Sequence, residues 1–148
     1  MSSDPIVDTL KEWFQVSMHQ SMRDFILYAR NSGLSMSHLG ALFHIHHKGS
    51  SGVTELGDQL GVTSAASSQM LERLVQQDLI LRTEDPDDRR VKQIILTDEG
   101  NRVVEEGIRA REAWLDDLAM TLSEDEREII QEALEILIDK VNILKEPV

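Results

Sequence analysis

Apolar residues recur at three- and four-residue steps over most of this chain, and alternate with polar ones over a short stretch past its middle. Ile6, Leu10, Trp13, Phe14, Met18, Met22, Phe25 and Tyr28 make the first helical series. Asp4-Pro5 opens it as N-cap and first-turn proline, and Asn31-Ser32-Gly33 stops it. A second series, Leu39, Leu42, Phe43 and His46, follows a Ser35 cap and closes at Lys48-Gly49. Residues 53–60 predict a short third helix and Gly61 a tight turn. Thr63 or Ser64 then caps a fourth helix, whose predicted apolar face is Ala66, Met70, Leu71, Leu74 and Val75.

The period changes next. Residues 79–83 and 91–96 read as strands, with Val91, Gln93 and Ile95 on one face and Lys92, Ile94 and Leu96 on the other. The aspartate- and proline-rich DPDDRR between them is the tip of a hairpin. Thr97 caps a long helix reaching about Met120, carrying Val103, Val104, Ile108, Trp114, Leu115 and Leu118. Ser123-Glu124-Asp125-Glu126 is a capping box for a final helix with Ile130, Ala133, Leu134, Leu137, Val141 and Leu144 on its stripe. The expected fold is mainly α with a small β-hairpin: four helices, two strands, two helices.

Two helices joined by a short glycine-bearing turn form a helix-turn-helix. The second begins with the small polar run Ser64-Ala65-Ala66-Ser67-Ser68-Gln69, which lets a backbone approach a groove. Hydroxyls and amides of this kind bond base edges or phosphates, so Ser64, Ser67, Ser68 and Gln69 are candidate DNA contacts.

Composition narrows the function. The 148-residue chain suits one globular domain, and its lack of cysteine excludes disulfides, thiolate zinc sites and thiol redox chemistry. The N-terminus has no secretory pattern and no apolar run approaches ~18 residues, so a soluble, cytoplasmic protein with no membrane partner is expected. The net charge of −12 is unevenly spread, with −1 over residues 1–33, −2 over 34–97 and −9 over 98–148. The middle is thus nearly balanced, and charge neither supports nor forbids a DNA-binding centre there. No nucleophile elbow, phosphate loop or paired-carboxylate pattern occurs, so no enzyme, catalytic residue or cofactor is expected. His38, His44, His46 and His47 cluster on or beside the second helix, but no H-E-x-x-H spacing accompanies them and no metal site is expected.

The run LERLVQQDLILRTEDPDDRRVKQIILTDEG, residues 71–100, resembles the wing region of the MarR family of bacterial and archaeal transcriptional regulators. The matching positions are Leu71, Glu72, Arg73, Leu74, Arg82, Asp85, Pro86, Asp88, Arg90, Leu96, Thr97 and Gly100. The order of helices extends the likeness over essentially the whole chain. Gly57 departs from it, standing where the family usually has alanine, at a helix cost of about 1 kcal/mol.

The resemblance implies a winged helix-turn-helix over residues 34–97, with residues 1–33 and 98–148 as dimerisation helices of a single domain. It implies a homodimer on a pseudo-palindromic double-stranded DNA operator, acting as a repressor relieved by a ligand. Arg90 would enter the minor groove and Asp88 would brace its guanidinium. Arg89 and Lys92 would meet phosphate, Arg73 would support the backbone contacts, and Pro86 would stiffen the turn. It also implies a small aromatic or anionic effector, for which Trp13, His19, Met22, Arg23, Phe43 and His46 are the candidate pocket walls. The competing expectation is an acidic winged-helix module that docks another regulator rather than DNA.

Overall fold

A computed structural model describes residues 4–144. Nine elements follow in order: α1 (Pro5–Ser32), α2 (Met36–Lys48), β1 (Ser51–Gly52), α3 (Val53–Leu60), α4 (Ser64–Gln76), β2 (Ile80–Glu84), β3 (Lys92–Leu96), α5 (Asp98–Thr121) and α6 (Glu124–Leu144). The sequence predicts all of these except β1. Two residues, Ser51 and Gly52, are too few for any alternation to register. Their pairing with Ile94 and Gln93 makes the hairpin a three-stranded antiparallel sheet in the order β1-β3-β2.

The caps are local and legible. Asp4 accepts the Ile6 N–H at 3.1 Å, and Gly33 ends α1 in the left-handed region at φ 72°. Thr63 caps α4 by accepting the Ala66 N–H at 3.2 Å. Ser35 caps α2, but its capping box is closed by a histidine rather than an acid or amide. The His38 Nδ1 lies 3.3 Å from the Ser35 N–H and 2.7 Å from its Oγ.

The chain divides into two compact units, one up to Arg111 and one from Glu112 onward. In the first, Leu39, Leu42, Ile45, Leu56, Leu71, Leu74, Ile80, Ile94 and Val104 are fully buried, so the core lies where α2, α3, α4 and the sheet meet the start of α5. Phe25 and Ala29 are the only buried residues of α1 among those described. The rest of the predicted α1 stripe, from Ile6 to Met22, faces outward.

The buried face of α4 corrects the predicted one. Ala66 is exposed, while Ser67, Met70, Leu71 and Leu74 point inward. Positions 67, 70, 71 and 74 are the i, i+3, i+4, i+7 set of one helix face, and residue polarity alone had placed Ser67 outside.

In the second unit, the Ser123 capping box forms as expected. The Ser123 N–H donates to Glu126 Oε2 at 2.9 Å, and the Glu126 N–H donates to Ser123 Oγ at 3.3 Å. None of α6 is buried.

Candidate nucleic-acid interface

Two aspartates, Asp85 and Asp88, shape the hairpin tip by binding its backbone. Asp85 Oδ1 accepts the N–H groups of Asp87 and Asp88 at 2.8 and 3.3 Å, and its Oδ2 accepts Gln93 Nε2 from the adjoining strand. Asp88 Oδ1 accepts the Arg90 N–H at 3.0 Å. The Val91 N–H donates to the Asp88 carbonyl at 2.9 Å, and the Asp85 N–H to the Val91 carbonyl at 2.9 Å. Short acidic side chains suit this work because they reach N–H groups two or three residues on.

The expected brace from Asp88 to the Arg90 guanidinium is therefore replaced by a bond to the Arg90 backbone. The guanidinium groups of Arg89 and Arg90 are exposed at the tip, and neither takes part in an ion pair among the described residues.

The remaining cations sit further back. Lys92 pairs across the strands with Glu84 at 3.0 Å, with both side chains more than half exposed. Arg82 reaches Glu72 at 3.5 Å, tying β2 to α4. Exposed pairs of this kind contribute little and are easily exchanged for another anion.

Along α4, Ser64, Ser68 and Gln69 are exposed beside the helix start, where first-turn N–H groups favour an anion. Ser67 is 2% exposed and cannot be a direct contact. Arg73 is exposed near the end of α4 and, with Gln69, Met70 and His38, lines a groove of about 490 Å³. Burial, and then the Arg73 charge, hold His38 below the ordinary imidazole range.

The six proposed effector-pocket residues do not converge on one cavity within the chain. Met22 lines a shallow groove with Phe14, Met18 and Arg111, whereas His46 lines another with Ile95 and Leu96. His46 Nδ1 lies 3.4 Å from Asn101 Oδ1. Phe43 packs edge-on against Phe25, ring centres 5.5 Å apart, and so belongs beside the core. Arg23 pairs with Asp24 at 3.1 Å, and Trp13 and His19 are exposed on α1.

A groove of about 400 Å³ that the sequence does not suggest lies between the end of α1 and the start of α5, lined by Tyr28, Leu34, Glu99, Arg102 and Glu106. Arg102 is held there by Glu99 and Glu106, which leaves the carboxylates in excess. Tyr28 donates to the Val103 carbonyl at 2.7 Å, and burial raises its phenol above the ordinary range.

Among the described residues, no group of three or more His, Asp or Glu side chains is placed to hold a metal ion, and no helix is long and apolar enough to cross a membrane.

A helix pair with an exposed polar helix start, followed by a hairpin with unpaired arginines at its tip, defines a winged helix-turn-helix protein. Residues 34–92 match the model of the MarR family. Over 125 residues the chain is 29% identical to the HTH-type transcriptional repressor MdtR of Bacillus subtilis, covering 84% of this chain and 81% of that protein. The YusO protein of Bacillus subtilis, known from a crystal structure, superposes with a TM-score of 0.64 at 27% identity, over 94% of this chain and 99% of that one. A mutant of S. aureus MepR bound to an oligodeoxyribonucleotide shares the fold, with a TM-score of 0.68 at 21% identity, over 89% and 97% of the two chains. Residues 34–92 thus form a MarR-type domain, and most of the chain is similar to a transcriptional repressor that carries the same helix-turn-helix.

Proposed function

We propose that two copies of this chain bind a pseudo-palindromic DNA operator and repress transcription until a small aromatic or anionic effector releases them. The observation that carries this is the tip at residues 85–91, where the Asp85 and Asp88 carboxylates are spent on the backbone and two arginines are left facing outward. α4 enters the major groove, with Ser64, Ser68 and Gln69 at base edges and phosphates, and Arg73 against the backbone. Arg90 enters the flanking minor groove, whose negative potential attracts a guanidinium, while Arg89 and Lys92 meet phosphate.

In this reading residues 34–97 are the DNA-binding part. Residues 1–33 and 98–148 join the two copies, setting the α4 helices about 34 Å apart for successive major grooves. The relationship to MdtR, itself a repressor, supports repression over activation. The effector acts through a difference in affinity for two spacings of the α4 helices. Its walls come from both copies, in keeping with the scatter of Trp13, His19, Met22, Arg23, Phe43 and His46 over one.

The test is a titration of genomic fragments adjoining the gene, at low and moderate salt. Wild type binds specifically and more weakly as salt rises. Arg90→Ala binds at least about tenfold more weakly while remaining a dimer, a loss in the range of one good groove contact. Equal affinity in the variant defeats the assignment of the wing.

A further inference from the structure

Ser67 is a hydroxyl in the wrong place for a dry contact. It lies on the inner face of α4, is 2% exposed, and its Oγ has no hydrogen-bond partner. Buried hydroxyls are nearly always satisfied, by protein or by ordered water. Facing it on α3 is Gly57, also buried. A methyl at Gly57 would stand 3.3 Å from Ser67 Oγ, 3.4 Å from Ser67 Cβ and 4.0 Å from the Val62 carbonyl oxygen. A cavity of about 70 Å³ lies against Gly57, lined also by Thr54, Asp58 and Ser64. The Val62 carbonyl accepts no hydrogen bond from the described residues.

We propose that this notch between α3 and α4 is a water site. One ordered water accepts the Ser67 hydroxyl proton and donates to the Val62 carbonyl, tying the inner face of α4 to the turn that precedes it. The room is ample, since one water needs roughly 10–15 Å³ of such space, and the polar lining supplies the two or more partners it requires. The Asp58 carboxylate in the lining disfavours an anion. Glycine at 57 is what admits the water, so the two helices of the helix-turn-helix meet through a hydrated contact. Ser67 thereby positions α4 without touching DNA.

The test uses the full-length protein in solution, without DNA. Nuclear Overhauser transfer from water to the Gly57 and Ser67 amide protons, of the sign given by a long-lived bound molecule, is expected in wild type. It is expected to vanish in Gly57→Ala, whose methyl occupies the notch. No transfer in wild type, or undiminished transfer in Gly57→Ala, overturns the proposal.

A stability cycle gives a second readout. In a helix, glycine to alanine raises the folding constant roughly fivefold. That gain is expected in the Ser67→Ala background, and is lost in wild type, where expelling the water strands the Ser67 hydroxyl. An equal gain in both backgrounds also overturns the proposal.

Discussion

Gly100 stands where α5 leaves the sheet, and a side chain there would begin 2.0 Å from the Leu79 carbonyl oxygen. Backbone cannot yield as a flexible side chain does. Gly100→Ala is accordingly expected to lower stability by about 1–3 kcal/mol, read as a drop in the urea midpoint. An unchanged midpoint would show that α5 re-seats at no cost. The glycine was visible in the sequence as part of the Leu-Thr-x-x-Gly ending, whereas the carbonyl that requires it came only with the fold.

His38 makes the same point for charge. As a neutral ring it accepts the Ser35 N–H, and as a cation it loses that bond and faces both the α2 N-terminus and Arg73. A histidine whose folded pKa lies below its unfolded one contributes stability above the unfolded value, and that contribution is lost as pH falls through the folded value. Between about pH 7.5 and about pH 5, the melting temperature of wild type should therefore fall more than that of His38→Gln, which keeps a capping acceptor without titrating. Parallel curves would remove His38 from the account. No spacing rule flagged this residue, because histidine is not an expected third position of a capping box.

Among the elements, the wing shows best what local chemistry can specify. Asp85 satisfies two N–H groups and an amide from one side chain. Asp85→Ala is expected to loosen the tip while sparing the core, so hydrogen exchange at the Asp87 and Asp88 amides should quicken at least about tenfold. Global stability should fall by no more than ~1 kcal/mol, since the tip is exposed and buries no apolar surface. A cooperative loss of the whole fold would mean that the tip nucleates the sheet. The hairpin was legible from alternation and turn residues to within one residue at each strand. Its third strand was not, because β1 is defined by a partner 43 positions away and by no pattern of its own.

At the scale of the whole molecule, α6 is a 21-residue helix without one buried residue. Leu134, Leu137 and Val141 are 40%, 36% and 48% exposed along one stripe, and Ile129, Ile136 and Ile143 are more exposed still. Apolar surface this contiguous marks a partner, and a second copy is the partner proposed above. Leu137→Glu should shift the sedimenting species from dimer toward monomer at micromolar concentration, by placing a charge in an apolar interface. An unaltered dimer would move the interface to the exposed face of α1.

What the sequence settled by itself was the set of elements and their class, since periodicity, caps and turn residues act within a few positions of the chain. That is why all six helices and the hairpin were legible, and why the wing motif pointed to the MarR family. The tertiary structure alone decided which surface each residue meets. It turned Ser67 inward and Ala66 outward, sent Asp88 to the Arg90 backbone, scattered the six effector candidates, and opened a notch opposite Gly57. These are contacts between groups distant in sequence or on opposite faces of one helix, and they are set by packing, which has no period.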